Sequence, residues 1–272
     1  MSYHFADKVS IVTGGGSGIG RALCHALGER GADVIVADVD AETAELVASE
    51  VSAAGGRASA AVVDTTIAAS VEELVDRTAT GHGRLDFMFN NAGLGFEGET
   101  RDSTSEHWRR VIDVNLMGVV HGTLAAYKVM VEQGAGHIVN TGSAAGLTSL
   151  PLAGPYTASK HAVVGLSTSL RYEAETLGVR VSVACPGYVR TPIYERRDSL
   201  EVDRDAANAL IRFKMLEPAQ AALAILAGVE RNRGIITFPL YARLLWWVSR
   251  VQPALLNPVG RKMVRDFRAL RG

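Results

Sequence analysis

Val9-Ser10-Ile11-Val12-Thr13-Gly14-Gly15-Gly16-Ser17-Gly18-Ile19-Gly20 is the stretch that decides the fold. Its first part is a short, β-branched apolar run of the kind that forms a strand buried on both faces. Its second part is a glycine turn that opens into a segment of helical period. A strand, a glycine turn and a helix starting near Gly18 aim backbone N–H groups and a positive helix end at one space. A pyrophosphate fits there. The spacing is Thr-Gly-x-x-x-Gly-x-Gly, and the six-residue pattern Gly-x-Gly-x-x-Gly is absent. A plain tight turn is the alternative reading.

Outward from this stretch, apolar runs rich in Val and Ile recur at residues 34–37, 60–63, 87–89, 138–139, 181–184 and 235–238, separated by longer segments of helical period. Short continuous apolar strands alternating with helices predict a doubly wound α/β fold around a parallel sheet of about seven strands. The chain has 272 residues, 47% of them hydrophobic, enough for one α/β domain with a large core. Neither an internal repeat nor a low-complexity linker interrupts it.

The formal net charge of -1 argues against general nucleic-acid affinity. The charge is uneven, however. From residue 234 onward seven basic residues face one acid, Asp266, so the tail carries +6 and the remainder -7. Two cysteines, Cys24 and Cys185, are too few for a disulfide framework or a metal cluster, and no metal site is expected. They fit a reducing cytoplasm. The first strand starts by about Lys8, which leaves no room for a signal peptide, and no run of about 18 apolar residues predicts a membrane span.

Asp38 stands at the end of the second strand, 20 residues beyond Gly18, where a carboxylate accepts both hydroxyls of an adenine ribose. A 2′-phosphate there meets a like charge. At an effective dielectric near 20, two charges about 4 Å apart repel by roughly 4 kcal/mol, which predicts NAD over NADP. No Arg or Lys in the glycine turn or directly after Asp38 offsets this. As a helix-capping acid, Asp40 is the better candidate.

Further along, Ser143 precedes the pair Tyr156 and Lys160. Spacing i, i+4 puts the pair on one helix face, but any amphipathic helix supplies such neighbours. A chain with 7 Tyr and 5 Lys shows Tyr-x-x-x-Lys by chance with ~0.1 probability, so order and context must decide.

The context does so. The glycine turn, Asn90-Asn91-Ala92-Gly93 after the fourth strand, Asn115 in a helix, Tyr156-x-x-x-Lys160, and Pro186-Gly187 followed by Thr191 occur in this order. Together they resemble the short-chain dehydrogenase/reductase family, from about Lys8 to Phe238. The resemblance implies a Rossmann-type fold and hydride transfer between a secondary alcohol or ketone and NAD. It implies cofactor contacts from Thr13, Gly14, Gly16, Ser17, Gly18, Ile19, Gly20, Asp38, Val39, Asp64, Thr65, Asn91, Ala92, Gly93, Tyr156, Lys160, Pro186, Gly187, Val189 and Thr191. Within this set Asp64 would meet the adenine amino group, and Thr191 the carboxamide. Asn115, Ser143, Tyr156 and Lys160 form the implied catalytic set.

A free tyrosine has a pKa near 10, and each unit of depression requires about 1.4 kcal/mol of preferential phenolate stabilisation. The Lys160 ammonium and an oxidised nicotinamide both act in that direction, so Tyr156 is expected to serve as general acid and base. Ser143 would hydrogen-bond the substrate oxygen. By resemblance, Asn115 would anchor a water that relays protons from Lys160, a role compatible with its alternative as a helix-kinking core amide.

Leu94, Phe96, Leu147, Leu150, Leu152, Tyr188, Ile193 and Tyr194 carry few charges on segments expected to line the cleft, with core packing as the alternative for about half. Leu94, Ser143, Leu150, Tyr156, Tyr188 and Ile193 are the expected substrate contacts. They point to a bulky apolar steroid, retinoid or lipid-like molecule. A small polar diol or sugar and a non-catalytic NAD-binding protein are the competing readings. The charged run Glu195-Arg196-Arg197-Asp198 reads as a solvated face on a mobile lid at about residues 188–216.

One catalytic domain is therefore expected over residues 1–238, with an amphipathic basic extension at 239–272 that departs from the family pattern. Leu240, Leu244, Trp247, Val248, Val251 and Leu255 keep helical spacing beside Arg243 and Arg250. Packing on the domain or on a partner subunit is the first reading of this stripe. Peripheral membrane contact is the second, motivated by Trp246, Trp247 and the basic tail. The helices around Asn115 and Tyr156 resemble the family's common dimer interface, so a homodimer or homotetramer is expected.

Overall fold

The computed structural model describes residues 5–271. The strands are β1 (Val9–Thr13), β2 (Asp33–Asp38), β3 (Arg57–Val62), β4 (Phe87–Asn90), β5 (Phe96–Glu97), β6 (Gly136–Thr141), β7 (Val179–Pro186), β8 (Asp198–Ser199) and β9 (Ile235–Phe238). Seven of them form one all-parallel sheet in the order β3-β2-β1-β4-β6-β7-β9. β5 and β8 pair in a small separate sheet.

The apolar runs are continuous because both faces of the large sheet are covered. Ile11, Ile35, Met88 and Ile138 enter one core cluster, while their neighbours Val12, Val36, Phe89 and Val139 enter the other. This is the two-residue alternation of a strand read against helices on both sides. α1 (Gly18–Gly28), α2 (Ala41–Ala53) and, further along, α9 (Pro218–Glu230) supply one face. α3 (Ala68–His82), α5 (Gly118–Gln133) and α6 (Gly154–Glu175) supply the other. Asp40 caps α2, its carboxylate accepting from the N–H groups of Glu42 and Thr43, the part assigned to it from sequence.

α4 (Ser105–Ile112) runs into α5 through a π-helical turn, Asp113–Met117. The combined helix Ser105–Gln133 is apolar and long enough to cross a membrane by composition alone. Here one face of it packs on α3 and β6 and enters the core.

Between β7 and α9 lie α7 (Ile193–Arg196) and α8 (Arg204–Ala209). Of the charged run expected to be solvated, Glu195 and Arg196 are exposed, and the expectation is corrected for the other two residues. Arg197 is buried and ion-paired with Glu97, and its guanidinium also donates to Asn208 at 2.8 Å. Asp198 lies in β8 and pairs with Arg110 at 3.0 Å. The strand register with β5 overrides the local charge pattern.

The extension folds as α10 (Leu240–Val251) and α11 (Asn257–Arg268). It is held at three points. The Tyr241 hydroxyl accepts from the Tyr188 N–H at 2.7 Å, and Ser249 donates to the Leu147 carbonyl at 3.2 Å. At the far end Phe267 is fully buried, and Glu99 accepts from Arg268 and Arg271. The expected apolar stripe does not pack on the domain. Leu240, Leu244, Trp247, Val251 and Leu255 are between 55% and 66% exposed, because the opposite face of α10 carries the contacts.

Candidate active site

In a doubly wound sheet, ligands bind beyond the carboxyl ends of strands, where the strand order reverses. That point lies between β1 and β4. A cavity of about 1520 Å³ opens there and continues over β6 and β7 to the extension. Single small-molecule pockets run to about 1,000 Å³, so this one has room for a dinucleotide and a second molecule.

Of the cofactor residues expected from sequence, Gly14, Ser17, Gly18, Ile19, Asp38, Val39, Asp64, Thr65, Asn91, Ala92, Gly93, Tyr156, Lys160, Pro186, Gly187, Val189 and Thr191 all line this cavity. Thr13, Gly16 and Gly20 lie behind it. The buried Thr13 hydroxyl accepts from the N–H groups of Asn91 and Ala92 at 2.9 and 3.2 Å, tying the β4 exit to the turn. Gly16 donates its N–H to Asp38 at 2.9 Å. A Cβ on Gly20 would lie 2.0 Å from the Gly14 carbonyl oxygen, so only glycine lets α1 start this close to the strand. Thr191 closes over the turn from the other side, against Gly18. A backbone cradle with a carboxylate at its ribose end fits a nicotinamide dinucleotide.

At the floor of the cavity, Tyr156 and Lys160 project from the first turns of α6, and Ser143 from the loop after β6. Lys160 is 3% exposed, donates from Nζ to the Thr141 carbonyl at 2.8 Å, and lies 5.7 Å from the Tyr156 ring centre. Burial lowers its pKa from 10.5 to about 8. Burial also raises the Tyr156 phenol above its usual value, while a hydrogen bond with Ser143 pulls the other way. The expected depression of Tyr156 is therefore absent from the protein alone, since loss of hydration outweighs the Ser143 hydrogen bond. Tyr156 rests protonated.

Asn115 is fully buried in the π-helical turn rather than in regular helix. The extra residue turns its amide toward Leu94, accepting from that N–H at 2.7 Å and donating to that carbonyl at 2.9 Å. Its amide also donates to Ser159 at 3.4 Å. Asn115 thus clamps the β4 exit to α6, with its amide oxygen and the Lys160 Nζ both facing Gly93.

Leu94, Phe96, Leu147, Leu150, Leu152, Tyr188, Ile193 and Tyr194 all reach the cavity wall. The sequence reading missed Phe213 and Tyr241. Their rings stack at 4.4 Å and extend through Tyr188 at 6.1 Å, building an aromatic wall from three separate segments. A helical projection of α10 places Tyr241 at the edge of the stripe beside Val248, which gave no signal that its ring would turn into the cleft.

The model of the short chain dehydrogenase family matches residues 8–201. The chain belongs to the short-chain dehydrogenase family. It is 37% identical over 203 residues to Cyclohexanol dehydrogenase of an Acinetobacter strain, covering 74% of this chain and 81% of that one. To Probable oxidoreductase EphD of Mycobacterium tuberculosis it is 35% identical over 271 residues, 96% of this chain. That match spans 46% of EphD, so the chain is about half the length of this curated relative. A solved short chain dehydrogenase/reductase from Burkholderia phymatum in complex with NAD superposes with a TM-score of 0.86 at 30% identity, covering 93% of this chain and 96% of that one. The short-chain dehydrogenase reading of the sequence stands.

Proposed function

We propose that the chain interconverts a secondary alcohol and a ketone on a bulky, mostly apolar, ring-bearing substrate, with NAD preferred over NADP. The observation that carries this reading is the convergence of Tyr156, Ser143 and Lys160 with the Asp38 cradle and the aromatic wall in one cavity. Cyclohexanol dehydrogenase, a relative named for a cyclic alcohol, agrees with it. When bound, NAD supplies or accepts the hydride. The chain's residues handle the proton and the geometry. Ser143 hydrogen-bonds the substrate oxygen and holds it against the Tyr156 hydroxyl. In reduction, Tyr156 gives its proton to that oxygen as negative charge builds there; in oxidation it takes the proton back. Lys160, cationic below about pH 8, stabilises the phenolate and offers its remaining N–H groups to the ribose.

Loss of Tyr156 tests the scheme. Tyr156→Phe keeps the ring and removes the transferable proton, so ketone-dependent NADH oxidation falls by about 10²–10⁴-fold while NADH binding persists. Unchanged turnover in this variant would falsify the assignment. NADH binding without turnover on any ketone in the unsubstituted protein would favour a non-catalytic role.

The exposed face of α10 is part of the proposal. α10 carries Arg243 and Arg250 and no acid. A two-fold contact between copies centred there would bring arginine against arginine, so the face suits an anionic lipid surface better than a second copy. The dimer is instead proposed to form through α5 and α6.

A further inference from the structure

Ionisable side chains along the cavity are segregated. The acids are Asp38 and Asp64 at the adenine end, and Glu97, which is consumed by its pair with Arg197. At the opposite end, Arg250, Arg261 and Arg265 line the cavity while remaining exposed, so they stand at its mouth. The extension brings no acid into the cavity wall.

On α11, Arg261, Arg265 and Arg268 repeat at intervals of four and three and form one row facing the cavity. Arg268 is neutralised by the carboxylate of Glu99 at 2.7 Å. The nearest extension acid, Asp266, is engaged by Lys262 at 2.9 Å and Arg212 at 3.2 Å. Arg261 and Arg265 are like charges one helical turn apart; Asp266 feels the charge of Arg265 from the flank, but its carboxylate is bonded to Lys262 and Arg212 and does not line the cavity. Arg250 joins them from α10, its guanidinium over the Trp246 ring at 5.7 Å. α11 does not drift, because Phe267 and the Glu99 network pin its far end and Gly260 lies against Pro151.

We propose that this mouth recognises a carboxylate on the substrate, with Arg261, Arg265 and Arg250 holding the anion while the ketone or alcohol reaches Tyr156. The proposal rests on the alcohol–ketone reading above and narrows its substrate class to amphipathic acids: an apolar ring system against the aromatic wall, and a carboxylate at the rim. Guanidinium groups suit this task because their fork of donors matches a carboxylate's two oxygens.

The test uses three ring-bearing ketones, based on cyclohexanone, an aryl ketone and a steroid ketone, each as the free carboxylic acid and as its methyl ester. Binding to the NADH-loaded protein is followed by calorimetry and turnover by NADH oxidation, at low salt and at 0.5 M salt. At least one acid should bind about tenfold or more tightly than its ester at low salt, with the preference shrinking in high salt. In the Arg261→Ala/Arg265→Ala double variant the acid-to-ester preference should collapse, and in Arg261→Lys/Arg265→Lys part of it should return. Equal binding of acid and ester in all three pairs overturns the proposal, as does a preference that survives the alanine variant. Acid preference without turnover of any ketone would instead overturn the alcohol–ketone reading and leave the anion site standing.

Discussion

Replacing Lys160 with methionine removes a buried cation while keeping a chain of similar length, and the structure sets the size of the effect. Burial moves the lysine from 10.5 to about 8, a displacement that corresponds to about 3 kcal/mol spent at neutral pH on keeping the ammonium inside. Against this, the variant loses the bond to the Thr141 carbonyl, and an unpaired buried acceptor costs about 1–2 kcal/mol. The variant should therefore be more stable than the parent by about 1–2 kcal/mol at pH 7, a rise of a few degrees in Tm.

The pH dependence carries the sharper test. Between pH 8 and 10.5 the folded parent binds fewer protons at Lys160 than the unfolded chain, so its stability rises with pH across that window. The methionine variant lacks this contribution. Urea unfolding of both cofactor-free proteins at pH 7 and 9.5 should show the gap moving in favour of the parent by about 2 kcal/mol. Other titrating groups cancel in the difference. A gap equal at the two pH values would refute the argument that burial controls Lys160. Turnover should be lost in the same variant, which would make Lys160 a group retained at the expense of stability.

Asp38→Ser removes the carboxylate from the ribose end of the cradle, and the ratio of kcat/KM for NADPH over NADH should rise by roughly 10²–10³-fold; an unchanged ratio would mean that Asp38 does not face the ribose. Glu99, surrounded by Arg101, Arg268 and Arg271, is held down to about 2 from its usual 4.5. Its contribution to anchoring α11 is present above about pH 4.5 and is lost as pH falls toward 2. Glu99→Gln should weaken that anchor at neutral pH, read as faster amide exchange in residues 257–268 alone; unchanged exchange there would remove Glu99 from the anchoring role. The protein should co-sediment with anionic vesicles and lose this on Leu244→Glu/Trp247→Glu, whereas background sedimentation of the parent ends the lipid proposal.

Much of the site could be read in advance because its residues are local to strand ends. The turn from Thr13 to Gly20, Asp38 and Asn91 each sit within a few residues of a β-branched run, and alternation of such runs with helices determines which end they share, while the Tyr156–Lys160 pair was legible from its one-turn spacing in the helix after β6. The sequence by itself therefore settled the doubly wound sheet, and it named the residues now proposed as cofactor cradle and proton-transfer group before their meeting in one cavity was seen. Their chemistry follows from backbone spacing and from topology that few alternatives satisfy.

Tertiary structure decided what depends on distant segments meeting. Arg197 reads as solvated until β8 pairs with β5 and presents it to Glu97. Lys160 was expected to acidify Tyr156, but the burial that raises the phenol is supplied by the enclosing loops. The extension showed a stripe and an excess of positive charge, yet not that Tyr241 would stack on Phe213 or that Arg250, Arg261 and Arg265 would reach the same cavity as Tyr156. Helical periodicity defines which residues share a face. Which face turns toward the cleft depends on contacts across more than 50 residues of sequence, such as Tyr188 with Tyr241 and Glu99 with Arg268, and no local pattern encodes them.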